Sequence, residues 1–193
     1  MSLWDALGEG TGLQFVDDQA VRLVEEGMRF QKEGQYQDAA KKYESSISIE
    51  PNYVDPHHFL ANTYSQIERF EDALKKYRIA LRLAENFLPE KSRKNTIEQI
   101  MANLAKTIKI RSLKKGSYQN ASEDFIEICN ALKGPPPFYH FLLGMICSEQ
   151  NLNDEAIVEF EKFLSNDKDG EVTNLAREKI EKIREKQGLR PFK

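Results

Sequence analysis

The stretch "GQYQDAAKKYESSISIEPN", residues 34–52, places small and aromatic residues at fixed offsets inside a charged segment. Ala39 and Tyr43 follow Gly34 at positions typical of a helix that begins just after a turn. Glycine lets the chain reverse, and Ala39 allows a second helix to approach closely while Tyr43 fills the space beside it. The stretch therefore predicts the second helix of a helical hairpin.

The same offsets recur three times further along the chain. They return at Glu68, Ala73 and Tyr77, at Gly116, Ala121 and Phe125, and at Asn151, Ala156 and Phe160. The turn positions are separated by 34, 48 and 35 residues, so the middle interval carries about 14 extra residues. Because a single hairpin cannot bury both of its apolar faces, the copies are expected to stack on one another.

These residues resemble the tetratricopeptide repeat family, whose unit is about 34 residues long. The matching positions are Gly27, Ala39, Tyr43 and Pro51 in the first copy, Leu60, Ala61, Ala73 and Tyr77 in the second, and Leu143, Gly144, Ala156 and Phe160 in the fourth. The resemblance implies an all-α fold, an α-solenoid of about four helical hairpins followed by a C-terminal capping helix. The predicted hairpins are residues 20–53, 54–87, 95–134 and 137–170, and the capping helix is 171–187. Residues 1–16 are predicted to be an N-terminal tail and residues 17–193 the repeat domain.

The third copy departs most from the pattern. Its first helix is best defined by a stripe of apolar residues three and four positions apart: Ile97, Ile100, Met101, Leu104 and Ile108. Asn95 or Thr96, each three residues before a Glu or Gln, offers a capping box at the start of this helix. The extra residues are expected to lengthen the helices or the loop at 88–94.

The C-terminal segment has the pattern of an amphipathic helix. Its apolar face comprises Val172, Leu175, Ala176, Ile180 and Ile183, and Glu178 and Lys182 are correctly ordered for an ion pair. Stacked repeats need such a helix to cover the apolar end of the last hairpin.

The composition is typical of a soluble globular chain. Of 193 residues, 40% are apolar and 31% charged, and the net charge is -3. No run of about 18 apolar residues is present, and the N-terminus lacks the positive start of a secretory signal. We therefore expect a cytoplasmic protein that does not span a membrane, with Cys129 and Cys147 reduced.

The sequence contains no recognisable catalytic motif. It has no phosphate-binding loop, no nucleophile elbow, and neither HExxH nor CxxC. His57 and His58 are adjacent, so on a helix they point about 100° apart and cannot chelate one ion. His140 lies far away in the sequence. We predict a protein that is not an enzyme and uses no metal or cofactor.

The resemblance implies a binding groove lined by the first helix of each hairpin. The residues expected to face it are Val24, Met28, His58, Phe59, Asn62, Lys106, Phe138, Phe141 and Met145. Such a surface suits a peptide or helix of a partner protein. Two alternatives remain open: Phe138, Phe141 and Met145 pack beneath the C-terminal helix, or the tail covers Val24 and Met28.

One known mode of peptide binding in this family is disfavoured. The members that hold acidic tails of heat-shock chaperones use a lysine and asparagines, and the matching positions here are Val24, Met28 and Phe59.

A basic segment interrupts the repeats. Residues 88–116 contain eight basic and two acidic residues, a net charge of +6. A candidate basic patch comprises Lys91, Arg93, Lys94, Lys109, Lys114 and Lys115. This patch is either an ordinary solvated helix face or a docking site for an acidic partner. The lack of interleaved aromatic residues argues against nucleic acid.

Together these observations predict a non-catalytic adaptor or scaffold that holds a protein or peptide partner. Two alternatives follow from other features of the sequence. A module that forms homo-oligomers through the tail around Trp4 is one, and an RNA-associated helical repeat protein is the other.

Overall fold

The computed structural model describes residues 16–167 and 170–188, and within them every regular element is an α-helix. The helices are α1 (Asp18–Lys32), α2 (Tyr36–Ile49), α3 (Val54–Gln66), α4 (Phe70–Phe87), α5 (Glu90–Lys115), α6 (Ala121–Cys129), α7 (Phe138–Glu149), α8 (Asn153–Asn166) and α9 (Glu171–Lys186). The chain is an all-α helical repeat solenoid, as the sequence predicts. Within the described residues, no helix is long and apolar enough to cross a membrane.

The described chain divides into two compact units. The first comprises residues 16–107 and 128–133, and the second comprises 108–127 together with the described residues from 134 onward. In the first unit α1 packs on α2, α2 on α3, and α3 on α4. In the second unit α7 packs on α8, and α8 on α9.

The four turn positions that align in the sequence have the same backbone conformation. Gly34, Glu68, Gly116 and Asn151 have φ values of 76°, 61°, 65° and 61°. In each turn the amide of the following residue donates to the carbonyl five residues earlier, as Gln35 does to Phe30 and Leu152 does to Cys147. A positive φ is easy for glycine and asparagine but strained for Glu68. This shared turn produces the hairpins.

The small and aromatic residues of the repeat form the core. Tyr43, Tyr77, Phe125 and Phe160 are fully buried, and so are Ala39, Ala73, Ala121 and Ala156. A Cβ added at Gly27 would lie 2.5 Å from Cε1 of Tyr43, and one at Gly144 would lie 2.8 Å from Cδ1 of Phe160. The helices of these hairpins are therefore in contact where the sequence places glycine against an aromatic ring.

The third hairpin differs from its predicted boundaries. Its first helix, α5, begins at Glu90, so the capping box predicted at Asn95 or Thr96 is wrong. Arg93 donates from Nε and Nη2 to the carbonyl of Leu88, at 3.0 and 2.8 Å, and so ties the first turn of α5 to the preceding loop. The extra residues lengthen the helices, because α4 has 18 residues and α5 has 26.

Helix α9 lies where the capping helix was predicted. Ala176, Ile180 and Ile183 are buried on its apolar face, and Glu178 pairs with Lys182. Leu175, predicted on the same face, is instead 38% exposed, because the face that packs on α8 is centred on Thr173 and Ala176. Residues 1–15 of the predicted N-terminal tail, and with them the predicted oligomer contact at Trp4, lie outside the described residues.

Both cysteines behave as small apolar residues of the core. Cys129 and Cys147 are buried and free. Burial raises the pKa of Cys129 to about 12 and that of Cys147 to about 11, so neither thiol is activated for chemistry.

Candidate partner-binding cleft

A cleft of about 470 Å³ opens on the first unit. Three helices supply its lining, which consists of Met28, Gln31, Lys32, Tyr36, Phe59, Asn62 and Gln66. We call this the α1–α3 cleft. The helical period explains why these residues meet: Phe59, Asn62 and Gln66 recur at steps of three and four along α3, so they share one face. Met28, Gln31 and Lys32 share a face of α1 for the same reason.

The apolar part of the cleft is formed by Met28 and Phe59. Met28 is 39% exposed. Phe59 is half-buried, and its ring is held by two neighbours, Tyr43 at 5.8 Å and His58 at 5.6 Å between ring centroids. A side chain that is partly exposed yet fixed in position loses little freedom when it contacts a ligand, which favours binding.

Two buried tyrosines beneath the cleft hold its polar side chains in position by hydrogen bonds. The hydroxyl of Tyr43 donates to Oε1 of Gln31 at 2.9 Å, and that of Tyr77 donates to Oδ1 of Asn62 at 2.6 Å. Burial raises the pKa of both tyrosines to about 12, so their hydroxyls stay protonated at neutral pH. Two carboxamides in the cleft therefore have fixed orientations.

His58 supports the cleft without lining it. Its ring is 7% exposed, and its Nε2 accepts a hydrogen bond from Nδ2 of Asn103 at 2.9 Å. Since the amide nitrogen can only donate, His58 is neutral and carries its proton on Nδ1. Burial lowers the pKa of His58 to about 4, which keeps it neutral at physiological pH.

The structure brings together three of the residues predicted for the groove. Met28, Phe59 and Asn62 line the same cleft. Val24 and His58 are 4% and 7% exposed, so they offer little surface to a ligand. Whether any of these residues contacts a partner remains a prediction.

Four lining residues are not among those predicted from the sequence: Gln31, Lys32, Tyr36 and Gln66. Helical spacing was a usable signal for three of them, since Gln31 and Lys32 follow Met28 by three and four positions, and Gln66 follows Asn62 by four. Tyr36 had no such signal, because it reaches the cleft from the start of another helix.

The other predicted groove residues lie elsewhere. Lys106 is exposed on α5. In the second unit Phe141 is 7% exposed and packs on Phe160 and Phe163, with centroid distances of 6.0 and 5.5 Å. Phe138 stacks on Phe141 at 5.7 Å, and both Phe138 and Met145 are half-buried. Phe141 is therefore a core residue that packs on α8. That Phe138, Phe141 and Met145 pack beneath the C-terminal helix stays a prediction.

The residues of the predicted basic patch are all on α5. Lys91, Lys94, Lys109, Lys114 and Lys115 are exposed, whereas Arg93 is half-buried because it binds the carbonyl of Leu88. Lys109 is paired with Glu149 at 2.5 Å. A role for this patch in binding is still a prediction.

The histidines are used in packing and pairing. Nε2 of His57 donates to the carbonyl of Pro51 at 3.0 Å, and Nδ1 of His140 lies 2.7 Å from Glu159. Among the residues that the structure describes, no group of His, Cys, Asp and Glu side chains could hold a metal ion.

The fold and the cleft define a class: a helical repeat protein of the kind that generally serves as a scaffold for protein–protein interactions. Two family models, both described as tetratricopeptide repeat, match residues 30–85 and 139–169. These matches support a protein of the tetratricopeptide repeat family.

Similar solved structures have the same fold. The crystal structure of MamA protein superposes with a TM-score of 0.56 at 19% identity, over 90% of this chain and 85% of that chain. A MamA fragment, 41-end from Desulfovibrio magneticus RS-1, superposes with a TM-score of 0.50 at 12% identity, over 90% and 88% of the two chains. At such identities the likeness concerns the fold alone.

A sequence relative is Tetratricopeptide repeat protein 17 of Danio rerio, which is 35% identical over 78 residues. The match covers 40% of this chain but 6% of that relative's length. It supports the repeat and says nothing about the activity of the longer protein.

Proposed function

We propose that the chain is a non-catalytic adaptor that holds an extended peptide or helix of a partner protein in the α1–α3 cleft, and so assembles a complex. The observation that supports this proposal is the cleft itself. It combines partly exposed apolar side chains, Met28 and Phe59, with oriented amides, Gln31 and Asn62, on a rigid helical framework. Ligand pockets combine apolar side chains with a few well-placed polar groups, and peptides bind such grooves through apolar anchors.

The energetics limit the kind of partner. Met28 and Phe59 would each contribute about 1.5–3 kcal/mol on full burial. Association costs an estimated 4–15 kcal/mol in lost freedom. A short peptide would therefore bind weakly, and a tight complex needs a ligand that also contacts surfaces beyond the cleft.

Affinity capture followed by mass spectrometry tests the proposal. The full chain and two cleft variants, Phe59→Ala and Met28→Glu, serve as baits. Met28→Glu is included because the exposed Met28 side chain tolerates replacement without loss of core packing. Phe87→Ala is the matched control, since Phe87 is 43% exposed on α4 and does not line the cleft.

We expect the same partners with the natural chain and with Phe87→Ala, and loss of one or more of them with both cleft variants. Circular dichroism and thermal unfolding confirm that each bait is folded. Equal recovery of every partner by all four folded baits would contradict binding in this cleft.

A further inference from the structure

We propose that Tyr43 and Tyr77 determine which ligands the α1–α3 cleft accepts, by turning the NH₂ groups of Gln31 and Asn62 toward the ligand. The cleft then favours a segment rich in hydrogen-bond acceptors, namely an acidic peptide that also carries an apolar side chain. This inference rests on the proposed function, because it names the ligand class of the same cleft.

The first step is the direction of the two hydrogen bonds. Tyr43 is fully buried, and the partner of its hydroxyl is Gln31. A buried hydroxyl that fails to donate is costly, so the O–H group donates and the carboxamide oxygen accepts. Tyr77 is 1% exposed, and its O–H group donates likewise to Asn62 at 2.6 Å, a shorter distance than the 3.1 Å to Thr107.

The second step is the consequence for each carboxamide. A carboxamide has one oxygen, which accepts, and one NH₂ group, which donates two hydrogens. Because each oxygen is turned toward a tyrosine, the groups that Gln31 and Asn62 direct toward a ligand are the NH₂ donors. Neither NH₂ group donates to another of the residues that the structure describes, so both remain available to a ligand.

The third step is charge. Lys32 lines the cleft beside these donors, and among the described residues that line it there is no Asp or Glu. A carboxylate in the ligand would therefore meet two amide donors and an ammonium group without facing a like charge. A lysine-rich or arginine-rich ligand would have no acceptor partner on these amides and would face Lys32.

The repeat itself supplies a control for the role of the hydroxyls. Phe125 and Phe160 occupy the positions of Tyr43 and Tyr77 in the other hairpins, and they are as deeply buried. A phenylalanine ring therefore fits this framework. Tyr43→Phe and Tyr77→Phe should fold, while releasing Gln31 or Asn62 to rotate and present its oxygen.

The experiment begins with a phage library of random dodecapeptides, selected on the full natural chain. Peptides that also bind Phe59→Ala are discarded, so the remaining ones depend on the cleft. We expect these peptides to be enriched in Asp and Glu, next to an apolar residue, relative to the starting library.

The decisive measurement is a ratio of affinities by fluorescence polarisation. The strongest cleft-dependent peptide is compared with its amide version, in which each Asp becomes Asn and each Glu becomes Gln. We expect the natural chain to prefer the acidic peptide. The preference should fall about three- to tenfold in Tyr43→Phe and in Tyr77→Phe, the range expected for one lost hydrogen bond. The preference for the acidic peptide should fall by a similar factor in Lys32→Gln.

Tyr64→Phe is the matched control variant. Tyr64 is also buried and its hydroxyl donates to Glu44 at 2.5 Å, but Tyr64 does not line or order the cleft. It should leave the affinity ratio unchanged. A merely structural role of Tyr43 or Tyr77 would weaken both peptides equally and leave the ratio unchanged as well.

The outcomes separate the two proposals. If no selected peptide depends on Phe59, both the proposed function and this inference are wrong. Cleft-dependent peptides without acidic enrichment would overturn the inference alone. Acidic enrichment with an unchanged ratio in both Tyr→Phe variants would show that the tyrosines do not set the preference.

Discussion

The second and fourth hairpins have the same packing arrangement, but three corresponding positions are polar in the second hairpin and apolar in the fourth. His58, Asn62 and Tyr77 in the second hairpin occupy the repeat positions of Phe141, Met145 and Phe160 in the fourth. His58 and Phe141 are equally buried, at 7% exposure. In the second hairpin all three polar groups are hydrogen-bonded, through Asn103 or through the Tyr77–Asn62 pair.

The comparison indicates that the three positions must be polar together or apolar together. A buried polar group left without a partner is costly, so replacing Tyr77 alone would disturb Asn62. The fourth hairpin avoids the problem by having phenylalanine and methionine at all three positions. The same backbone can thus present either an oriented polar cleft or an apolar core.

The largest expected effect tests the apolar side of the comparison. Phe160→Ala removes a fully buried ring that packs against Gly144 and Phe141. It should lower the free energy of unfolding by about 3–5 kcal/mol in urea denaturation. Val158→Ala on the same helix, where the side chain is 48% exposed, should change it by less than about 0.5 kcal/mol. Equal losses would show that Phe160 is not a core residue.

The next largest effect is the pH dependence of stability that results from the buried His58 in the second hairpin. The unfolded chain protonates His58 near its ordinary pKa of 6.5, whereas the folded chain does so near 4, because burial disfavours the charged ring. Between these values the unfolded state binds more protons, so stability falls as the pH drops. The expected loss from pH 7 to pH 5 is about 2 kcal/mol.

His58→Gln is the comparison variant for the pH effect. Urea denaturation at several pH values should show that this variant lacks most of the loss between pH 7 and pH 5. An identical slope in the natural chain and in His58→Gln would assign the pH dependence to other groups.

A smaller change in stability tests whether the second and fourth hairpins are equally tightly packed at one pair of corresponding positions. Ala61 in the second hairpin corresponds to Gly144 in the fourth, where an added Cβ would lie 2.8 Å from the ring of Phe160. Overpacking costs about 1–3 kcal/mol, and the better helix propensity of alanine returns about 1 kcal/mol. Gly144→Ala should therefore destabilise the chain by up to about 2 kcal/mol. Gly134→Ala, where an added Cβ meets nothing within 4 Å, should be neutral in the same denaturation experiment.

The smallest effect lies in the turns. Glu68 and Asn151 share a φ of 61°, but glutamate is strained there and asparagine tolerates it. Glu68→Gly should raise the free energy of unfolding by about 0.5 kcal/mol, the relief of strain less the added entropy of the unfolded chain. Asn151→Gly should gain less. A loss of stability in Glu68→Gly would mean that the glutamate side chain contributes more than the turn costs.

Much of the fold could be predicted from the sequence. The aligned positions Gly34, Glu68, Gly116 and Asn151 all adopt the same turn, and the aromatic residue nine positions after each is fully buried. Turn geometry and helical periodicity depend on residues close together in the sequence. The spacing of the repeat therefore predicts them directly. The start of α5 was misplaced because capping signals at Asn95 and Thr96 compete with the contacts that extend the helix back to Glu90.

The sequence by itself determined the hairpins, their order and the residues that fill them, because these depend on neighbours a few positions away. Only the tertiary structure decided which first-helix side chains line a cleft and which are buried. Met28 and Phe59 remain accessible while Val24 and Phe141 do not, since their exposure depends on helices that are distant in the sequence. The hydrogen bonds of Tyr43 and Tyr77, twelve and fifteen residues from their partners, likewise exist only once the helices have packed.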